Sequence, residues 1–117
     1  MNCKRLAAVA AILLSMAVQA HTHLHMSAPA NKAVVTKGPS TLVLKFSGAA
    51  RLTSLTLQRE GSSVEEIAPL PTTVEPEFIV PLGKSLSSGK YEVKWRVAGA
   101  DSHVMSGKFS FTVADGA

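Results

Sequence analysis

The chain has 117 residues, a formal net charge of +4 and one cysteine, Cys3. The basic residues are scattered with no Lys/Arg run, which argues against a nucleic-acid footprint. With Cys3 at the extreme amino terminus, neither a disulfide framework nor thiolate chemistry is available to the body of the chain.

The first predicted element is an export signal over residues 1–20. Lys4 and Arg5 provide a positive start, Leu6 to Val18 an apolar run without charge, and Val18-Gln19-Ala20 the small-x-small pattern of a signal-peptidase site. A bilayer-spanning helix needs roughly 20 apolar residues. The run is shorter than that and nothing downstream is longer, so no stable membrane insertion is expected after processing. Cleavage after Ala20 makes His21 the new amino terminus; a competing cut after Ala17 would leave it internal. Loss of Lys4 and Arg5 from the 12 basic residues leaves ten against 8 acidic ones, a mature charge of +2.

Residues 21–117 read as one small all-β domain. In "LVLKF" Leu42, Leu44 and Phe46 share a side, and in "KYEVKWRV" Tyr91, Val93, Trp95 and Val97 oppose Lys90, Glu92, Lys94 and Arg96. "KFSFTV" repeats the alternation with Phe109, Phe111 and Val113. Period two with one apolar side is the signature of a half-buried strand. Prolines and glycines from Pro29 to Gly107 punctuate the chain at the spacing of an antiparallel sandwich, with Gly61 to Pro76 its least regular, loop-rich part. No helical period, repeat or linker follows the signal. The expected fold is a Greek-key β-sandwich, immunoglobulin-like or cupredoxin-like, of about seven strands.

Two polar clusters interrupt this pattern. "AHTHLHM" places His21, His23 and His25 directly behind the processing site, and "AGADSHVMSG" carries Asp101 and His103 between two strands. In an extended backbone residues i and i+2 project to one side, so a carboxylate and an imidazole there can converge on one ion. An amino-terminal histidine adds two nitrogens from one residue, because its free amine and Nδ1 close a small chelate ring. The amine's reference pKa of about 7.7–8.0 means a metal displaces only a weakly held proton. Three nitrogens with an oxygen in tetragonal arrangement suit Cu(II).

The start "HTHLHMSAPA" and the stretch "LSSGKYEVKWRVAGADSHVMSGKFSFTV", with "LVLKFS" between them, resemble the CopC family of exported copper-binding proteins. The resemblance spans His21 to Val113. It implies a Greek-key β-sandwich holding one Cu(II) at a histidine brace made from His21, Asp101 and His103. It further implies a periplasmic, non-enzymatic role in copper sequestration, resistance or delivery, with an inner-membrane copper transporter of the CopD type as partner. Ser102 stands where the family has glycine, and Val104-Met105 replaces Pro-Val. The methionine-rich segment that gives some members a Cu(I) site has no counterpart, because only Met26 and Met105 remain after processing. Both methionines are secondary candidates as ligands, as are His23 and His25, which would share the face of a strand beginning at His21.

Three other readings use the same residues. His21-Thr22-His23 could wrap Cu(II) or Ni(II) with the amine, two deprotonated backbone amides and the His23 ring, which strand pairing of those amides would oppose. A copper oxidoreductase could also use a histidine brace, although a carboxylate on the metal fills a position that oxygen activation needs open. A plain sandwich module with incidental histidines would bind no stoichiometric copper.

Overall fold

The computed structural model describes residues 23–114; the expected signal segment and His21 lie outside the described residues. Seven strands follow in order: β1 (Leu24–Ala28), β2 (Ala33–Val35), β3 (Thr41–Arg59), β4 (Glu65–Glu66), β5 (Val74–Pro81), β6 (Gly89–Gly99) and β7 (Val104–Val113). They form one curled sheet in the order β1-β3-β6-β7-β2, with β4 and β5 also paired to β3. The all-β expectation holds. No helix among the described residues is long and apolar enough to cross a membrane.

The 19-residue β3 serves both halves of the curl. Its first part pairs with β1 through residues 43–46 and with β5 through residues 41–45, and its second part pairs with β6 through residues 50–59. Two irregularities turn the strand. One lies between Lys45 and Ala50 on the β5 side, and the other between Leu52 and Ser54 on the β6 side. The second leaves Thr53 as an extra residue, so the buried set moves from Leu42, Leu44, Phe46, Ala50 and Leu52 to Leu55 and Leu57. A bulge does this because one added residue reverses which side each later side chain faces.

Every strand residue expected inward is buried: Leu42, Leu44, Phe46, Tyr91, Val93, Trp95, Val97, Phe109, Phe111 and Val113. Burial of each such side chain stabilises by about 1.5–3 kcal/mol. Phe46 ties the two halves together, meeting Phe78 of β5 edge-on at 6.3 Å and Trp95 of β6 edge-on at 5.1 Å between ring centroids. Tyr91 stacks on Phe111 at 5.4 Å, and its hydroxyl donates to Ser87 O at 2.7 Å. The Gly61 to Pro76 region contributes only the two-residue β4 and the start of β5, and packs into the core through Ile67.

Opposite Trp95 on β7 stands Gly107. A Cβ there would lie 2.5 Å from Trp95 Cζ2, so the missing side chain is what leaves room for the indole. Gly107→Ala should therefore destabilise the domain by about 1–3 kcal/mol, read as a lowered midpoint in thermal denaturation. An unchanged midpoint would mean that the indole is not confined there.

Candidate metal site

β6 and β7 form a hairpin whose last pair is Ala98 with Val104, leaving Gly99 to His103 to close the turn. Ser102 N donates to Gly99 O at 2.9 Å, and Gly99 N donates to His103 O at 2.8 Å. Ser102 takes φ 72°, the left-handed region that glycine enters at no steric cost. The departure from glycine at this position therefore falls on a backbone geometry that glycine suits.

Asp101 and His103 do come together, but not along an extended backbone. The Asp101 carboxylate folds over its own turn: Oδ1 accepts from His103 N at 3.1 Å and Oδ2 lies 2.6 Å from His103 Nδ1. An ionised carboxylate only accepts, so Nδ1 carries the shared hydrogen, and in the neutral ring Nε2 is then the bare nitrogen. Both side chains are largely exposed, at 65% and 73%. The His103 ring, followed by its backbone N–H, holds the Asp101 carboxyl below its ordinary value. Among the described residues no group of three or more His, Cys, Asp or Glu side chains gathers at one point.

The amino-terminal end of β1 lies near this hairpin. His23, Leu24, Asn31, Trp95, Met105 and Lys108 line one shallow cleft. The turn after β1 is fastened to β7, since Asn31 Oδ1 accepts from Ser110 N at 3.0 Å and Lys32 N donates to Ser110 O. His23 is itself gripped by β3: its N–H donates to Ser47 Oγ at 3.0 Å, and its carbonyl accepts from Ser47 N at 2.8 Å. Ser47 ends the "LVLKFS" stretch, but its hold on His23 is not legible there, because it depends on the register of β1 against β3.

The even alternation expected along the histidine run does not hold. Leu24 pairs with Phe46 but Met26 pairs with Lys45, so His25 is the extra residue of a bulge. Past it the facing reverses, and Met26 emerges 52% exposed on the outer side of the sheet. His25 and Met26 consequently line a groove of their own with Ser27 and Ala30. His23 and Met105 share the cleft beside the hairpin, while His25 and Met26 lie outside it.

Known proteins share the family and the fold of this chain. Residues 24–114 match the model of the CopC domain. The chain is 34% identical to protein YobA of Escherichia coli K12 over 112 residues, covering 92% of this chain and 90% of that one. It is 32% identical to copper resistance protein C of Xanthomonas campestris pv. juglandis, with 90% and 89% covered. Among solved structures it is similar to CopC from Methylosinus trichosporium OB3b, at a TM-score of 0.66 and 25% identity over 80% of this chain and 93% of that one. It is also similar to PcoC, a methionine-rich copper resistance protein of E. coli, at 0.61 and 28% over 80% and 99%.

The Asp101–His103 contact has a titration signature. A carboxyl whose folded pKa is depressed favours the contact above its ordinary value and loses it only as pH falls through the lower, folded one. In metal-free protein the contact should thus persist to a lower pH than the ordinary titration of an aspartate would allow. His103→Ala removes the ring but keeps the backbone N–H, so it should move the Asp101 carboxyl part of the way back toward its ordinary value, followed by carboxyl-carbon NMR; an unmoved Asp101 would show that the His103 ring is not what holds it.

Proposed function

Since the chain belongs to the CopC family, we propose that it is an exported, non-enzymatic copper-binding protein that holds one Cu(II) with His21, Asp101 and His103. In this reading the segment 1–20 is cleaved on export to the periplasm. The bound ion is then kept from harm or passed to a membrane copper transporter of the CopD type.

The observation that carries this reading is the shared cleft of His23 and Met105. Two residues of extended chain reach about 7 Å. His103 precedes Met105 by two positions, and a two-residue extension before His23 is long enough for His21 to be brought to the same cleft. The converged pair also fits a metal. Two donors at about 2.0–2.1 Å from an ion and about 90° apart, as in a tetragonal site, lie about 2.9 Å from each other, and Nδ1 and Oδ2 are already at 2.6 Å. An ion can take the place of the shared hydrogen with a small opening of the pair. Bound there, copper is cargo, and the chain's own work is to present donors and release protons as it loads.

The terminal wrap through His21-Thr22-His23 is disfavoured by the grip on His23. Its amide would have to surrender a proton that is committed to Ser47 Oγ. A second binding mode is suggested by the bare Nε2 of His103. There the metal takes Nε2, and Asp101 only orients the ring through Nδ1, as carboxylates commonly do behind ligating histidines.

Processed protein should bind one Cu(II) by intact mass and titration, with His103→Ala costing at least about tenfold and His23→Ala little. One extra residue before His21 turns its amine into an amide. Affinity should then fall by several powers of ten, because each 1.4 kcal/mol of a lost donor is about tenfold. An extended protein that binds as tightly would end the brace reading. Asp101→Asn decides between the two modes. It keeps an oxygen for Nδ1–H, so it should spare affinity if Asp101 only orients the ring and cost at least about tenfold if the carboxylate ligates.

A further inference from the structure

The cations that look scattered in the sequence are collected by the sheet. Across β3, β6 and β7 the outward positions fall into rows set by strand register: Arg51–Ala98–Val104, then Ser54–Arg96–Ser106, Thr56–Lys94–Lys108, Gln58–Glu92–Ser110, and Lys90–Thr112. On these three strands five exposed cations surround one central carboxylate, Glu92, while Glu66 of β4 beside Thr56 and Glu60 beside Lys90 add two carboxylates at the margin, so that cations still outnumber carboxylates five to three. At its centre Lys94 and Lys108 stand directly opposite each other, an arrangement that costs stability in a sheet. Glu92 reaches both, at 4.0 Å and 3.6 Å, and offsets only part of that charge. Ser54, Thr56 and Ser106 surround the same shallow depression and add hydroxyls among the cations.

We infer that this outer side of the β3–β6–β7 sheet docks the acidic surface of a partner protein. Charge complementarity sets the partner's sign, and the extent of the patch sets its class. From the Lys90 row to the Arg51 row is eight residues along β6, about 27 Å of strand, the scale of a protein footprint and several times that of one phosphate. A lipid surface fits less well. No large apolar side chain stands in the four rows from Ser54 to Lys90 to enter a bilayer, and Glu92 at the centre would face a continuous sheet of anions. A patterned acidic protein surface can offer Glu92 a donor while meeting the cations around it. The Arg51–Ala98–Val104 row adjoins the Asp101–His103 hairpin, so a partner seated here lies beside the candidate metal site. Docking itself needs no metal, which separates this inference from the copper reading.

The test uses isotope-labelled, metal-free protein as exported, with poly-L-glutamate as acidic polypeptide, phosphatidylglycerol vesicles and inorganic phosphate as separate probes. Poly-L-glutamate should shift the backbone amides of β6 and β7 from Lys90 to Lys108. Its binding should fade as the screening length drops from about 10 Å at 0.1 M salt toward about 3 Å at 1 M. Lys94→Gln with Lys108→Gln should weaken it about tenfold, while Lys37→Gln with Lys45→Gln, the same loss of net charge elsewhere, should change it less than about twofold. Equal weakening by both pairs, or shifts spread over the whole molecule, would overturn the inference as mere net charge. It would equally fall if vesicles or phosphate bound in preference to the polypeptide. Concentration-dependent self-association abolished by the Lys94/Lys108 pair would name a second copy as occupant instead.

Discussion

The length of β3 and the two places where it breaks step constrain all that follows. A regular strand of 19 residues would run straight past the domain. The irregularities at Lys45/Ala50 and Leu52/Ser54 let one strand keep an apolar side inward while the sheet curls around it. Phe46 sits on the first half, Leu55 and Leu57 on the second, and the Phe46–Trp95 contact closes the space between them. β1 is held on one flank of this strand, and β6 with its terminal hairpin on the other. The proximity of His23 to Met105 is thus a product of the core.

Strands whose alternation is unbroken were legible from the residues alone. β6 and β7 keep strict period two, and every inward side chain that their alternation names is buried, while β7 starts earlier than "KFSFTV", at Val104, and packs Met105 on the core as well. The second half of β3 is hidden from the sequence, because Leu52 and Leu55 are three apart and only a bulge reconciles that spacing with one buried side. The same physics misled the reading of the histidine run, where the bulge at His25 moves Met26 to the outer side. Asp101 and His103 were rightly paired for the wrong reason. Their convergence comes from a side chain capping its own turn, a habit of aspartate in loops, and not from strand geometry.

Charge shows the widest gap between one dimension and three. Along the chain Arg51, Lys90, Lys94, Arg96 and Lys108 are separated by apolar residues and look like ordinary solvated positions. The alternation that buries Val93, Trp95 and Val97 necessarily sends Lys94 and Arg96 together to the other side, and hairpin register then sets Lys108 beside them. The core pattern and the charged surface are thus one pattern read from opposite sides of the sheet.

The double membership of β3 also bears on how the molecule comes apart. A sandwich made of two separate sheets can lose one as a unit, but here removing β1 and β5 strips the partners from the first half of the strand that also pairs with β6. Partial opening is penalised, and the amides of β3 and β6 are set to exchange with solvent by global unfolding more than by local fraying. A small domain without disulfides thereby gains all-or-none cooperativity from one continuous strand.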